Sequence, residues 1–177
     1  MQLYVDYPNA LRMVDPVMGD NGKIYSTYTP ELCDAMKRLV PVADILKPNI
    51  TEACYLLGLD YSMPNESRAI DMLKQFQELG AKNVVLTGVI DGDFICNFAI
   101  DEAGETSINK NALLPYQLHG SGDVFASVLL ARFMQGKSLH EACEFAAGFT
   151  AKATQLSTSQ PGFKERGISF EPLLGMI

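Results

Sequence analysis

The stretch ADILKPNITEACYLLG, Ala43–Gly58, holds a short apolar run, a Lys-Pro-Asn stop and a second apolar run that ends on glycine. The first run reads as a buried strand ended by Pro48, which has no N–H to give to a ladder. The second reads as a short helix with Gly58 just past its end. A strand that feeds a helix is the beginning of a βαβ unit. Upstream, LRMVDPVMG (11–19) reads as another buried strand, ending at Asp15-Pro16. Thr29 followed by Pro30 then gives an N-cap and a proline at the first helical position. That helix predicts an apolar stripe of Leu32, Met36, Leu39 and Val40, stopped by Pro41.

Downstream the alternation continues. SRAIDMLKQFQELG (67–80) keeps helical spacing at Ile70, Leu73, Phe76 and Leu79, with Gly80 as its stop. NVVLTG (83–88) is a buried strand, and DGDFICNFAI with GETSIN reads as a hairpin or meander. A helix spans roughly 121–135, stopped by Gly136. Another opens on the Ser138-x-x-Glu141 capping-box spacing and runs through ACEFAAGFTAKATQL. The tail from 157 reads as mostly irregular. Strands separated by helices predict one α/β domain over 1–177, a mostly parallel sheet with helices on both faces.

The bulk composition narrows the function. The 177 residues are 47% hydrophobic and 20% charged, enough apolar content for a core. A net charge of −7 repels polyphosphate backbones and argues against nucleic acid, while leaving room for a small anion at a helix terminus. No apolar run reaches the ~18 residues of a membrane span, and no leader is visible. Cys33, Cys54, Cys96 and Cys143 are widely spaced without a C-x-x-C pair, so they read as buried free thiols of a reducing cytoplasm.

In open α/β sheets, ligands bind beyond the carboxyl ends of the strands. The polar punctuation falls there: Asp15 and Asp20, Asn49 and Glu52, Thr87 and Gly88, then Gly120-Ser121-Gly122-Asp123. The last tetrapeptide can form an anion cradle of backbone N–H groups, with Asp123 beside it as a general base. Its structural alternative is Ser121 as a cap and Asp123 as a first-turn acid. Asn49-x-x-Glu52 is equally a capping box or a place for Mg²⁺. Asp15 and Asp20 could hold Mg²⁺, offset a lysine near phosphates, or only shape turns. Thr87-Gly88 is a phosphate contact or a turn. Lys47 reads as a solvated end, and His119 and His140 read as capping or solvent-facing.

In order, DPVMGDNGKIY, ADILKPNITEACYLLG, VVLTG and HGSGDVFASVLLA resemble the ribokinase-like superfamily, nearest to its pyridoxal/pyridoxamine kinase branch. The resemblance implies a three-layer α/β/α fold and transfer of the γ-phosphate of ATP to the hydroxymethyl group of a vitamin B6 form. It also implies Mg²⁺ and often K⁺, and a homodimer in many relatives. It assigns Asp123 as catalytic base and Gly120, Ser121 and Gly122 as the anion hole. Asn49, Thr87, Gly88 and Asp15 take the nucleotide, and Glu52 and Asp20 the magnesium. A sister branch, which phosphorylates hydroxymethylpyrimidine phosphate, often carries cysteine where Asp123 stands. A nucleotide-binding module without catalysis is the remaining alternative. The resemblance further implies that 1–177 is the C-terminal, ATP-binding portion of a longer kinase, whose N-terminal part supplies the first strands and most contacts to the substrate ring. Lys47 stands where many relatives have a small or hydroxyl residue, and there it could reach a phosphate or merely be solvated.

Overall fold

A computed structural model describes residues 6–177. Its main sheet has the strand order β1 (Met13–Val14), β4 (Ile45–Leu46), β5 (Asn83–Asp91), β6 (Phe94–Ile100), β7 (Thr106–Ala112). The β1–β4 and β4–β5 pairs are parallel, whereas β5–β6 and β6–β7 are antiparallel. Four strands, β1, β4, β5 and β7, therefore share one direction and β6 alone opposes them. A small antiparallel ribbon, β2 (Gly19–Asp20) with β3 (Lys23–Ile24), stands apart. The meander expected of residues 91–109 is present, and β5 runs three residues beyond the expected end at Gly88.

Side-chain alternation divides the sheet into two faces. Leu46, Val84, Leu86, Phe98 and Ile100 point to one core, whereas Ile45, Val85 and Ala99 point to the other. The first core is covered by α1 (Pro30–Lys37), α2 (Ile50–Leu57) and α3 (Glu66–Glu78). The second is covered by α4 (Ser121–Met134) and α5 (Leu139–Thr158). This is the three-layer α/β/α arrangement. Both faces are buried, which explains why VVL in β5 is a continuous apolar run rather than an alternating one.

The helix ends follow local chemistry. Thr29 Oγ1 accepts from Leu32 N, and Ser138 forms its capping box with Glu141. Two expected stripe positions differ. Leu32 is exposed while its neighbour Cys33 is buried, because the chain leaves helical geometry after Lys37 and the short helix turns a different side inward. Leu79 lies at the C-cap of α3, past the face that buries Leu73 and Phe76, and is exposed. The tail is more regular than expected. It carries α6 (Phe163–Arg166) and a 3₁₀ turn over Glu171–Met176, with Ile168, Phe170 and Leu173 packed on the second core. All the cysteines are free and buried.

At the amino ends of the strands, Asp44 ties three segments together. It accepts from Arg12 N at 2.9 Å and Arg12 Nε at 3.0 Å, and pairs with Lys82 Nζ at 2.8 Å. Burial works against its charge, but Lys82 and Arg12 prevail and hold the carboxyl down at about 2. Polar residues at this end brace the sheet; those at the opposite end are free to form a site. Phe76 is fully buried in the first core. Phe76→Ala is expected to lower unfolding free energy by about 3–5 kcal/mol in urea titrations. A loss under about 1 kcal/mol would mean that this side chain is not packed as described.

Candidate active site

A cleft of about 790 Å³ opens at the carboxyl ends of β1, β4 and β5. Every residue expected at the site lines it: Asp15, Asp20, Asn49, Glu52, Thr87, Gly88 and Gly120 through Asp123. These residues come from separate turns, and the parallel strands bring the turns to one end of the sheet.

Asn49 and Glu52 open α2 with a complete capping box. Asn49 Oδ1 accepts from Glu52 N at 3.0 Å, and Glu52 Oε2 accepts from Asn49 N at 2.8 Å. The box also reaches outside its helix. Glu52 Oε1 accepts from Met18 N at 3.1 Å, and Asn49 Nδ2 donates to Gly19 O at 2.8 Å. The capping reading is thus right about geometry but incomplete, since the same two side chains fasten the loop after β1 to the cleft wall. Glu52 is only 2% exposed. Burial pushes its carboxyl up to about 7, against the pull of the Asn49 amide, Lys47 and the Met18 amide.

Lys47 corrects an expectation. It is not a solvated end but a buried residue, 4% exposed, whose Nζ lies 3.0 Å from Asp15 Oδ1. The extended backbone after β4 turns its side chain toward the loop after β1, where a carboxylate meets it. Burial raises the Asp15 carboxyl, Lys47 opposes that rise, and the charge of Asp123 adds to it. Asp123 thus acts through space on Asp15, and it acts on the Tyr25 hydroxyl as well.

Asp20 is held at the tip of the β2–β3 ribbon. Its oxygens accept from Asn21 N and Asn21 Nδ2, and from Gln117 Nε2 at 2.8 Å across the cleft. Gly22, at φ 75°, donates its N–H to Thr51 Oγ1, and a Cβ there would meet the Tyr61 ring at 2.7 Å. Only glycine fits this approach. Thr87 and Gly88 fall where the β5–β6 register slips between Leu86 and Val89, a bulge that turns them toward the cleft.

At the head of α4 the N-cap is Gly120 at φ 85°, with no side-chain cap. Ser121 is the first helical residue, so the expectation that it caps the helix is not met. Its N–H turns back to Leu118 O at 3.3 Å. Among the described residues the N–H groups of Gly122 and Asp123 have no acceptor, and a Cβ on Gly122 would meet open space. Two unused amides at a helix N-terminus facing a cleft suit an anion. His119 lines the cleft and is exposed. His140 lies elsewhere, with Nδ1 2.7 Å from Ser107 Oγ and Nε2 3.2 Å from Asp101 Oδ2, so it is engaged in packing polar groups rather than facing solvent.

Asp15, Asp20 and Glu52 offer hard oxygen ligands of the kind magnesium takes. Among the described residues, the only set of three acid, histidine or cysteine side chains converging on one point is Asp101, Glu105 and His140, which is not part of the cleft. The cleft carboxylates form no such set, so they would suit magnesium only together with oxygen ligands from outside the chain. Sequence reasoning missed Lys23, Tyr25, Tyr61, Tyr116 and Gln117 as lining residues. Lys23 and Tyr25 end the DPVMGDNGKIY stretch and the others lie on loops, and the Asp20–Gln117 bond joins the ribbon to the 113–120 loop.

The phosphomethylpyrimidine kinase family model matches residues 2–167. Pyridoxine kinase of Bacillus subtilis is 31% identical over 151 residues, covering 82% of this chain and 54% of its own length. A Bacteroides thetaiotaomicron protein classed with the phosphomethylpyrimidine kinases, crystallised with pyridoxal, superposes with a TM-score of 0.91 at 28% identity, covering 98% of this chain and 63% of that one. Pyridoxal kinase of Staphylococcus aureus, in complex with AMP-PCP and pyridoxal, gives a TM-score of 0.74 at 26% identity, over 87% of this chain and 55% of that one. The chain belongs to the phosphomethylpyrimidine kinase family, within the ribokinase-like superfamily. It spans less than two thirds of the length of these relatives.

The raised Glu52 carboxyl has a measurable consequence. Because its folded value, about 7, exceeds the ordinary 4.5, folding favours the protonated form. The stability it contributes is full below about pH 4.5 and is lost as pH rises through about 7. In urea titrations, wild-type stability should fall relative to Glu52→Gln across this window. Parallel curves would show that Glu52 titrates like an exposed acid.

Proposed function

We propose that this chain carries the nucleotide-binding and catalytic half of an ATP-dependent kinase that acts on the hydroxymethyl group of a vitamin B6 form. The observation that supports it most is the gathering of four separate strand-end turns around one cleft whose far wall is the bare N-terminus of α4. Such a cleft suits a polyphosphate, and Asp123 stands at the same helix start.

In this reading the acceptor hydroxyl oxygen attacks the γ-phosphorus, the bond to the β–γ bridging oxygen breaks, and ADP leaves. Asp123 takes the hydroxyl proton as the new P–O bond forms. The amides of Gly122 and Asp123 hold phosphoryl oxygens as charge builds on them. Gly120 supplies the left-handed turn that exposes those amides. Ser121, Thr87, Gly88 and Asn49 line the phosphate path. Asp15, Asp20 and Glu52 are the carboxylates available to magnesium, which when bound offsets phosphate charge. The buried free thiols suit a reducing cytoplasm.

A second reading has its own support. The matching family model is that of phosphomethylpyrimidine kinases, so a hydroxymethylpyrimidine is the competing acceptor. Asp123, in place of the cysteine frequent in that branch, favours B6. Transfer assays with pyridoxal and with hydroxymethylpyrimidine phosphate, run beside Mg·ATP calorimetry, separate the two. Asp123→Asn is expected to leave Mg·ATP affinity near wild type and to lower turnover by about 10²–10⁴-fold. Unchanged turnover would remove Asp123 from the role of base. Mg·ATP binding without transfer to either alcohol would replace the kinase with a nucleotide-binding module.

A further inference from the structure

Lys47 is a lysine buried to 4% exposure at the edge of the cleft. It follows β4, and its own N–H donates to Val14 O at 2.9 Å, so the root of the side chain is fixed by the sheet. The ammonium is buried and still lines the cleft. Asp15 is its one acidic partner among the described residues. An ammonium carries three donors, and one carboxylate oxygen does not use them all. A buried ion pair gives little net stability over an apolar pair of similar volume, so stability alone does not account for it. The surrounding charges are mostly negative: Asp123 acts on Asp15, and Asp15 acts on Glu52. Lys23 is the other ammonium on the lining, and it is exposed, where water weakens its pull.

We propose that Lys47 is a phosphate-binding residue whose ammonium passes from Asp15 to oxygens of the terminal phosphates when nucleotide enters. Asp15 acts as a placeholder that keeps the ammonium in position at the cleft while no phosphate is present. The phosphates then lie between two fixed positive ends, the Lys47 head and the free amides of Gly122 and Asp123. A net charge of −7 is no obstacle, because these two features act at short range inside a low-dielectric wall. The inference deepens the kinase reading and rests on it.

Calorimetry with Mg·ATP and with metal-free inorganic tripolyphosphate tests it on the whole chain. Lys47→Met should weaken both probes by about tenfold or more, the loss of a charge-assisted hydrogen bond. Lys47→Arg should retain binding within about threefold, since the charge and donors remain. Asp15→Asn should bind tripolyphosphate at least as tightly as wild type, because the ammonium is released. Lys47→Met alone leaves the half-buried Asp15 carboxylate without its ammonium partner, which destabilises the fold. The double variant Asp15→Asn/Lys47→Met removes that fault and should recover the thermal midpoint without recovering affinity. Recovery of wild-type affinity in the double variant would show that Lys47 only balances Asp15, and would overturn the proposal. Unchanged affinity in a folded Lys47→Met would do the same. Failure of the wild type to bind either probe would instead defeat the kinase reading, and this inference with it.

Discussion

The site depends on one buried carboxylate. Glu52 accepts the Met18 amide on one oxygen and the Asn49 amide on the other, while Asn49 holds the Gly19 carbonyl. Those bonds join the start of α2 to the loop after β1 and to the base of the β2–β3 ribbon. Two of the four turns around the cleft are thereby fixed relative to each other. Burial makes the bonds strong and also makes the charge expensive to keep, which is why the carboxyl is displaced upward. A group that titrates near neutrality in the wall of a cleft is a natural point for coupling fold, pH and ligand charge.

The second pair of turns is positioned by backbone geometry. The slip in the β5–β6 register presents Thr87 and Gly88, and the left-handed Gly120 presents the first turn of α4. Neither device needs a charged residue. Acidic side chains, the Lys47 ammonium and the first turn of α4 thus line one cleft.

The two ends of the strands show how the same residue types serve different purposes. At the amino end, Asp44 is saturated by Arg12 and Lys82 and braces three segments. At the carboxyl end, Asp15 has a single ammonium partner among the described residues, and the loops around it leave open volume. Saturation marks structure; incomplete pairing beside a cavity marks a place for a ligand.

The sequence by itself determined the order of elements, the layering of helices on both sheet faces and the strand-end residues of the cleft. Apolar period, Thr29-Pro30, Gly58 and the Ser138-x-x-Glu141 box are local signals, and local signals survive in a linear chain. Asp15, Asn49, Glu52 and Asp123 were legible because each follows or opens an element at the end where parallel strands place ligands. Tertiary structure decided the rest. Lys47 reads as solvated until Asp15 is found beside it, and the two are separated by an entire helix in the chain. The Glu52–Met18 bond and the Asp20–Gln117 bond are likewise long-range. Burial and partner choice depend on which segments fold against each other, and no window of sequence contains that information.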